Sequence, residues 1–472
     1  MAAERYMKTR STALPVSRSA VPSSRWWKAL CALALVGWPV PSAFAEPRPD
    51  DDRRPLPDYD GRPPESDHRL GDAVLWVPRL VLSPLYLVSE YIVRRPLSLA
   101  VPAADRRDYP RRIYDFFTFG PDHNAGFLPV GFVEFDLQPS YGVYVYWHDA
   151  LVKGNDLAMH VETWTSDWLM AALTQRLHFA RVTFEIHLKS VKRPDYPFYG
   201  IGPETVSAER SRYGAHTVES GAALVFPFWR SSRLEVAGTV RKVSFFRGWH
   251  DDDPALDNQV TAGVFPLPEG LDTGYTAALG RLTAIVDSRR PWPSPGSGVR
   301  LKVQMEQGNE LQHTPFASWL RTDALAGAFY DLNGYRRVLS LSVATAFVDP
   351  LGQTAVPFTE LVALGGNGLM RGFPWLRLLG SSAAVATVRY EWPIGPWVTG
   401  NIQAAVGNVF GPHLQGFQPD LLRMSWALGL SSESLSTPDY PLELLVGMGT
   451  ETFAQGGRID SVRLAVGVNY GL

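Results

Sequence analysis

The chain has 472 residues, of which 45% are apolar and 12% aromatic, and its formal net charge is -2. No segment contains the ~18 consecutive apolar residues that a membrane-spanning helix requires. A membrane protein of this composition would therefore have to be a β-barrel, whose strands carry a weak, alternating signal. The near-neutral charge provides no global basic field, so we expect no nucleic-acid partner.

The first 45 residues resemble an export signal. Basic residues precede a short apolar run (29–36), and a small-x-small cleavage pattern ends at Ala45. Residues 1–45 are therefore predicted to be a signal peptide. A membrane anchor is the less favoured alternative, because the apolar run is too short to span. The single cysteine, Cys31, lies in this segment, so we expect no disulfide or thiolate metal site in the mature chain.

Two different segments follow the signal. Residues 46–71 are rich in proline, aspartate and arginine and are predicted to be a disordered periplasmic leader. Residues 72–100 combine many apolar side chains with charges and three prolines, a pattern that predicts two short helical pieces. This amphipathic segment could lie at the membrane surface or pack as an ordinary core helix.

From Phe127 to Leu472 the apolar residues recur with a period of two, which is typical of β-strands. In one such segment Val182, Phe184, Ile186 and Leu188 alternate with Thr183, Glu185, His187 and Lys189. Charges of both signs occupy the polar phase, as expected for the wall of a wet lumen. We predict an all-β fold: a transmembrane antiparallel barrel over residues 127–472, with about 16 strands and with 14 or 18 as alternatives.

Several short motifs interrupt this pattern. A glycine-rich segment contains Gly365 and Gly366, followed by Met370-Arg371-Gly372-Phe373. A hairpin segment begins Asp287-Ser288-Arg289, and further motifs read Phe198-Tyr199-Gly200 and Gly407-Asn408-Val409-Phe410. Together, and in this order, these motifs resemble the BamA/TamA family of outer-membrane assembly barrels, the bacterial surface antigen family.

The resemblance implies a 16-stranded barrel in which the Arg371 loop folds back into the lumen and pairs with carboxylates on the inner wall. Glycines permit the required turns, and an arginine fork can hold a carboxylate with two hydrogen bonds. From the residues alone, an ordinary exterior loop with an exposed arginine is equally acceptable. The family's usual acidic position is occupied by Ala405, and its Glu-x-Arg is reversed here as Arg389-Tyr390-Glu391. We therefore predict Glu391 as the lumen partner of Arg371.

The resemblance further implies a monomeric protein of the bacterial outer membrane that assists the insertion or translocation of protein or lipid. Its partners would be outer-membrane lipid and a polypeptide or lipid client, reached through a weak seam between the first and last strands. Residues 46–126 are predicted to contain none of the family's periplasmic repeats, so a separate periplasmic partner would have to supply them. The alternative is a passive solute pore, which the charged inner wall suggests.

Motifs of enzymatic chemistry are not found in the sequence. It has no nucleophile elbow, phosphate-binding loop or His-Glu-x-x-His zinc motif, and its ten histidines are scattered. The acidic run Asp251 to Asp253 is interpreted as a solvated turn rather than a cation site. We expect neither a catalytic activity nor a cofactor or metal ion.

Overall fold

The structure is a computed structural model. It describes residues 115–120, 123–290, 296–332, 334, 336–395, 398–432 and 442–468. The predicted signal peptide, disordered leader and amphipathic segment lie outside the described residues. Within the described part of the chain, no helix is long and apolar enough to cross a membrane.

Sixteen antiparallel strands form a closed barrel in which each strand pairs with the next along the chain and the last pairs with the first. The strands are β1 (Ala125–Glu134), β2 (Ser140–Trp147), β3 (Asn155–Thr163), β4 (Leu169–Phe179), β5 (Val182–Phe198), β6 (Ser211–Trp229), β7 (Ser232–Arg247), β8 (Tyr275–Asp287), β9 (Gly298–Glu310), β10 (Ser318–Asp331), β11 (Val338–Pro350), β12 (Ser382–Gly395), β13 (Val398–Phe410), β14 (Arg423–Ser432), β15 (Leu442–Thr450) and β16 (Ile459–Val468). The predicted all-β barrel of about 16 strands is confirmed, and its first strand begins at Ala125.

A two-residue strand (Thr118–Phe119) precedes β1 and pairs with its start. The connections contain the helix α1 (Leu256–Thr261), two three-residue strands (Val362–Leu364 and Leu378–Gly380), and the 3-10 turns Ser207–Glu209, Phe358–Glu360, Pro412–Leu414 and Pro419–Leu421. Connections alternate in length along the chain. The end of the barrel at which β1 begins has short turns, two of which are the dipeptides 180–181 and 230–231. The opposite end has long loops, including residues 248–274 and 351–381.

The sequence alternation becomes the two faces of the barrel wall. In β9, Val299 and Leu301 are 59% and 49% exposed. The polar residues of the opposite phase contact neighbouring strands inside the barrel, as Gln304 does with Asp323 of β10 at 3.3 Å. The outer face is therefore apolar and suited to lipid, whereas the inner face is polar.

The barrel interior is filled in part by residues 351–381, which we call the inner loop. Its two arms pair as a short hairpin, Val362–Leu364 with Leu378–Gly380. Side chains of the inner loop contact the wall on well-separated strands, from β7 to β13, β15 and β16. The largest buried apolar cluster is formed between this loop and the wall and includes Trp319, Val348, Met370, Phe373, Leu378, Val385 and Val409.

An arginine on the outer face should destabilise the barrel much more than the same residue on the inner face. Val343 lies midway along β11 and is 51% exposed, whereas the preceding Ser342 lies in the inward phase. We expect Val343→Arg to lower the free energy of unfolding from lipid vesicles by about 2–4 kcal/mol, because it places a cation in hydrocarbon. Ser342→Arg is the matched control and should have a much smaller effect. Equal losses would contradict the assignment of the two faces.

Candidate functional site: the inner loop and the barrel seam

The junction of β1 and β16, which we call the seam, has few contacts in the part of the chain that the structure describes. Three residue pairs form it: Phe132–Gly467, Val133–Val466 and Glu134–Ala465. One further hydrogen bond runs from the Phe135 amide to the Leu464 carbonyl at 3.0 Å. By contrast, β15 and β16 are paired along nearly their whole described length. Among the described residues, the ring of strands therefore has its fewest contacts where it closes.

A buried ion pair crosses the seam. Arg463 of β16 donates to both carboxylate oxygens of Glu134 of β1, from Nε at 2.8 Å and from Nη2 at 3.0 Å. The two side chains are at most 2% exposed. Removing either member would leave an uncompensated buried charge, so we expect loss of this contact to destabilise the junction of the two strands.

The same arginine also binds the inner loop. Its Nη1 donates to the carbonyls of Gly366 at 2.8 Å and Arg371 at 3.2 Å, and its Nη2 donates to the side-chain oxygen of Asn367 at 2.7 Å. With the two Glu134 oxygens, these acceptors match the five N–H donors of a guanidinium group. Arg463 thus connects the first strand, the last strand and the tip of the inner loop.

Arg371, the predicted site residue, points into the barrel and binds the inner wall. Its Nη2 lies 2.5 Å from a carboxylate oxygen of Glu443 on β15, and its Nη1 donates to Asn401 on β13 at 3.4 Å. The predicted partner Glu391 is not used in this way and instead binds Arg389 at 2.6 Å on its own strand. The prediction of Glu391 is therefore corrected to Glu443. The reason is geometric, since the loop tip lies against β13 to β16 and Glu391 belongs to β12.

A signal for these partners was present in the sequence. Glu134, Glu443 and Arg463 are charged residues in the inward phase of strands whose outward phase is apolar. The alternation indicated that each side chain faces the lumen. It did not indicate which charges meet, because that depends on how far the inner loop reaches.

Gly372 holds the loop backbone directly against the wall. A Cβ atom at this position would lie 2.1 Å from the Met448 carbonyl oxygen and 2.5 Å from that of Trp426. The Gly372 amide donates to the Ser425 hydroxyl at 2.8 Å. Only glycine can approach β14 and β15 this closely, which gives a physical reason for glycine in the motif.

The neighbouring motif residues anchor the loop by packing. Met370 and Phe373 are fully buried, and the ring of Phe373 lies against Gly449 of β15, where a Cβ would be 2.2 Å from it. Met370 adopts a positive φ of 58°, and Gly365 and Gly366 have φ values of 106° and 68°. The motif therefore combines tight turns with two apolar anchors in a wall of small residues.

Further ion pairs fix both arms of the inner loop. In the arm before the motif, Glu360 accepts two hydrogen bonds of 2.8 Å from Arg241 of β7. In the arm after it, Arg377 binds Asp460 at the start of β16 at 2.8 Å and also binds Thr205. The loop thus bridges the barrel from β7 to the seam strand β16.

The connection after β1 is bound to β5 and to the loop that follows β5. Arg210 binds Asp136 at 2.9 Å, and the Gln138 amide donates to Asp195 at 2.6 Å. Burial opposes the charge of Arg210, but hydrogen bonding to Asp253 and the charge of Asp136 outweigh it and raise the pKa of its guanidinium above the usual value. Asp253 also binds Arg212 at 2.7 Å. Part of the acidic run predicted to be solvated is therefore engaged in ion pairs.

The second predicted motif, Asp287 and Arg289, lies at the end of the barrel with short turns. Arg289 donates to Asp287 from Nη2 at 2.7 Å and from Nε at 3.0 Å. Its guanidinium carbon lies 3.7 Å from the centre of the Phe329 ring. These contacts stabilise the turn between β8 and β9, so the structure does not bring this motif to the inner loop.

Substituting Gly372 by alanine should dislodge the inner loop. The added methyl group cannot fit against the Met448 and Trp426 carbonyls. We expect Gly372→Ala to make the inner loop of the folded barrel sensitive to limited proteolysis, which mass spectrometry would locate. Gly368→Ala is the matched control, because a Cβ there meets open space. A Gly372→Ala protein as resistant as the wild type would contradict the packing described above.

Removing the charge of Glu134 should weaken the seam. Glu134→Gln leaves Arg463 buried without its counter-charge, and we expect a loss of about 3–5 kcal/mol in the free energy of unfolding. Glu391→Gln provides the control, because that carboxylate pairs with Arg389 but is 38% exposed and should contribute less than about 1 kcal/mol. Equilibrium denaturation in vesicles measures both. Similar losses of unfolding free energy in the two variants would show that the Glu134–Arg463 pair stabilises the barrel no more than an exposed pair does.

Comparison with known proteins places this barrel in a family. Residues 174–434 match the Omp85 superfamily domain, while the curated proteins gave no match. The fold is similar to BamA from Haemophilus ducreyi lacking POTRA domains 1-3, with a TM-score of 0.51 and 15% identity over 73% of this chain and 70% of that chain. Two further solved structures are less similar. CdiB from Acinetobacter baumannii has a TM-score of 0.47 and 12% identity over 73% of this chain and 59% of that chain. CdiB from Escherichia coli has a TM-score of 0.47 and 11% identity over 74% of this chain and 63% of that chain. Because the family match covers more than half of the sequence, the chain belongs to the Omp85 superfamily.

Proposed function

We propose that this protein is a BamA/TamA-type barrel of the bacterial outer membrane that assists the insertion or translocation of protein or lipid. The observation that carries the proposal is the seam, where three residue pairs and one buried ion pair join β1 and β16 within the described residues, which end at Val468. Cross-strand side-chain pairs contribute roughly 0.2–1 kcal/mol each, so the three described pairs add little to the stability of the seam. An opened seam would present strand edges to which an extended client segment can add.

The contacts on each side of the seam suggest how it would open. Arg463 has three acceptors in the inner loop and two in Glu134. Separation of β1 from β16 would therefore leave Arg463 with the inner loop, while Asp136 and Gln138 keep the end of β1 attached to Arg210 and Asp195. In this proposal β16 and the inner loop stay together as β1 moves away.

We further propose that the signal peptide directs export and that the barrel is a monomer surrounded by outer-membrane lipid. Its client would be a polypeptide or a lipid, and its partner would be a separate periplasmic protein. The role needs no covalent chemistry, so we also propose that the protein is not an enzyme. A passive solute pore is the competing proposal. It is disfavoured by the inner loop, which crosses the lumen from Glu360 near β7 to Arg371 near β15.

A disulfide across the seam tests the proposal. Val133 and Val466 are directly opposed in β1 and β16, and such residues lie within the Cα separation that a disulfide spans. We expect complete oxidation of the Val133→Cys/Val466→Cys variant to abolish the accumulation of newly made proteins or lipid in the outer membrane. The measurement uses cells in which this variant is the only copy of the protein. Reduction should restore it, because the lock is reversible.

The matched control places the same lock where no opening is expected. Leu341 and Val388 are opposed in β11 and β12 and both face outward. Leu341→Cys/Val388→Cys should cross-link equally well without loss of activity. Full activity with a quantitatively closed seam would eliminate seam opening. A stable bilayer conductance that rises on deletion of residues 364–380 would instead support the pore.

A further inference from the structure

From β2 to β11, the end of the barrel with short turns is basic, whereas the opposite end is mainly acidic; of the two later short connections, 396–397 has no charge and 433–441 contains Glu433 and Asp439. Every short turn from the β2–β3 connection to the β10–β11 connection contains lysine or arginine, and Asp149 is the single acidic residue in these five turns. We call their cationic side chains the basic turn residues; they are Lys153, Arg181, Arg230, Arg289, Arg290, Arg336 and Arg337. The long loops at the other end are mainly acidic, with Asp136, Asp167, Glu204, Glu209, Asp251, Asp252, Asp253, Asp257, Glu269, Asp272, Glu360, Asp420 and Glu451.

The basic turn residues form a band rather than isolated charges. Lys153, Arg181, Arg230 and Arg290 are exposed. Adjacent turns touch each other, since Arg230 donates to the Ser288 carbonyl and the Ser231 hydroxyl donates to the Arg289 carbonyl at 3.4 Å. Neighbouring strands are about 4.8 Å apart, so successive turns lie within about 10 Å of each other. A surface with closely spaced anionic groups could engage several of these cations at once.

Apolar side chains lie immediately beside these cations. Val152, next to Lys153, is 60% exposed, and Phe179, two residues before Arg181, is 59% exposed. The guanidinium of Arg230 lies 5.3 Å from the centre of the Trp229 ring. Aromatic and apolar residues at strand ends mark the boundary of the hydrocarbon layer, and long cationic side chains beyond it reach the headgroup level.

We propose that the exposed basic turn residues Lys153, Arg181, Arg230 and Arg290 bind anionic phospholipid headgroups in the membrane leaflet on their side, which for short turns is the periplasmic leaflet. Arginine forks suit phosphate oxygens, and each cation near a charged leaflet contributes to binding. An acidic protein partner is the other class of ligand for such a band. The adjacent apolar belt favours lipid, because it sets these cations at the headgroup layer. The inference requires a membrane-spanning barrel and does not depend on opening of the seam.

Lipid selectivity of the purified, reconstituted protein tests the inference. In vesicles of zwitterionic lipid, electron paramagnetic resonance can compare spin-labelled phosphatidylglycerol with spin-labelled phosphatidylcholine at the barrel surface. We expect the wild type to prefer phosphatidylglycerol about fivefold, as one engaged cation per headgroup would give. Lys153→Ser/Arg181→Ser/Arg230→Ser/Arg290→Ser should bring the ratio close to one. Raising the ionic strength should lower the wild-type ratio in the same direction.

Two control variants separate charge from folding and from position. Arg181→Lys/Arg230→Lys/Arg290→Lys keeps the charges and should keep the preference. Lys242→Ser/Arg247→Ser/Arg458→Ser removes exposed cations towards the end with long loops and should also leave the preference intact. Heat-modifiability on gels reports that each variant is folded.

Two results would overturn the inference: no lipid preference in the wild type, or a preference that the four-residue serine variant retains. If the serine variant retains the lipid preference and loses binding to soluble polyglutamate, the basic turn residues would be assigned to an acidic protein instead. The oxidised Val133→Cys/Val466→Cys barrel, which keeps all basic turn residues, should keep its lipid preference. Failure of seam opening and failure of lipid binding are therefore distinguishable.

Discussion

The closed barrel depends on one buried guanidinium group. Arg463 has five N–H donors, and the acceptors around it come from β1 and from the tip of the inner loop. A lysine could supply only a point charge with three donors, so charge alone does not explain the residue. Because few backbone pairs join β1 and β16 among the described residues, the contacts of this side chain form a large part of the described junction.

The wall near the seam is shaped to receive the inner loop. Gly447 and Gly449 of β15 leave room for the loop backbone and for the ring of Phe373, and Gly372 brings the loop into contact with carbonyls of two strands. The tip of the inner loop can reach Arg463 because these glycines have no side chain to keep the loop away from the wall. The glycines therefore set the distance between loop and wall, and Arg463 binds the loop carbonyls at that distance.

The barrel could be predicted from the sequence because period-two alternation is a local property of each strand. The inward direction of Arg371 followed from its resemblance to a family motif, and the lumen phase of Glu443 and Arg463 followed from alternation. Their pairing could not be predicted, because it depends on strand register and on the path of the inner loop. Glu391 was predicted because it shares the lumen phase of its strand with Arg389, yet the loop tip lies against later strands and Glu391 binds Arg389.

The separation of Glu134 and Arg463 along the chain, 329 positions, has a consequence for the order of assembly. Contacts of such long range form late, since the intervening chain must first be ordered. Until β16 is in place the barrel is an open sheet in which β1 pairs with β2 on one edge and has no strand on the other. The inner loop can already lie on β13 to β15 and present its carbonyls, so the last strand arrives at a prepared set of acceptors. In this order of assembly, ring closure is the final step of folding, and the inner loop positions β16 for it through the acceptors that bind Arg463.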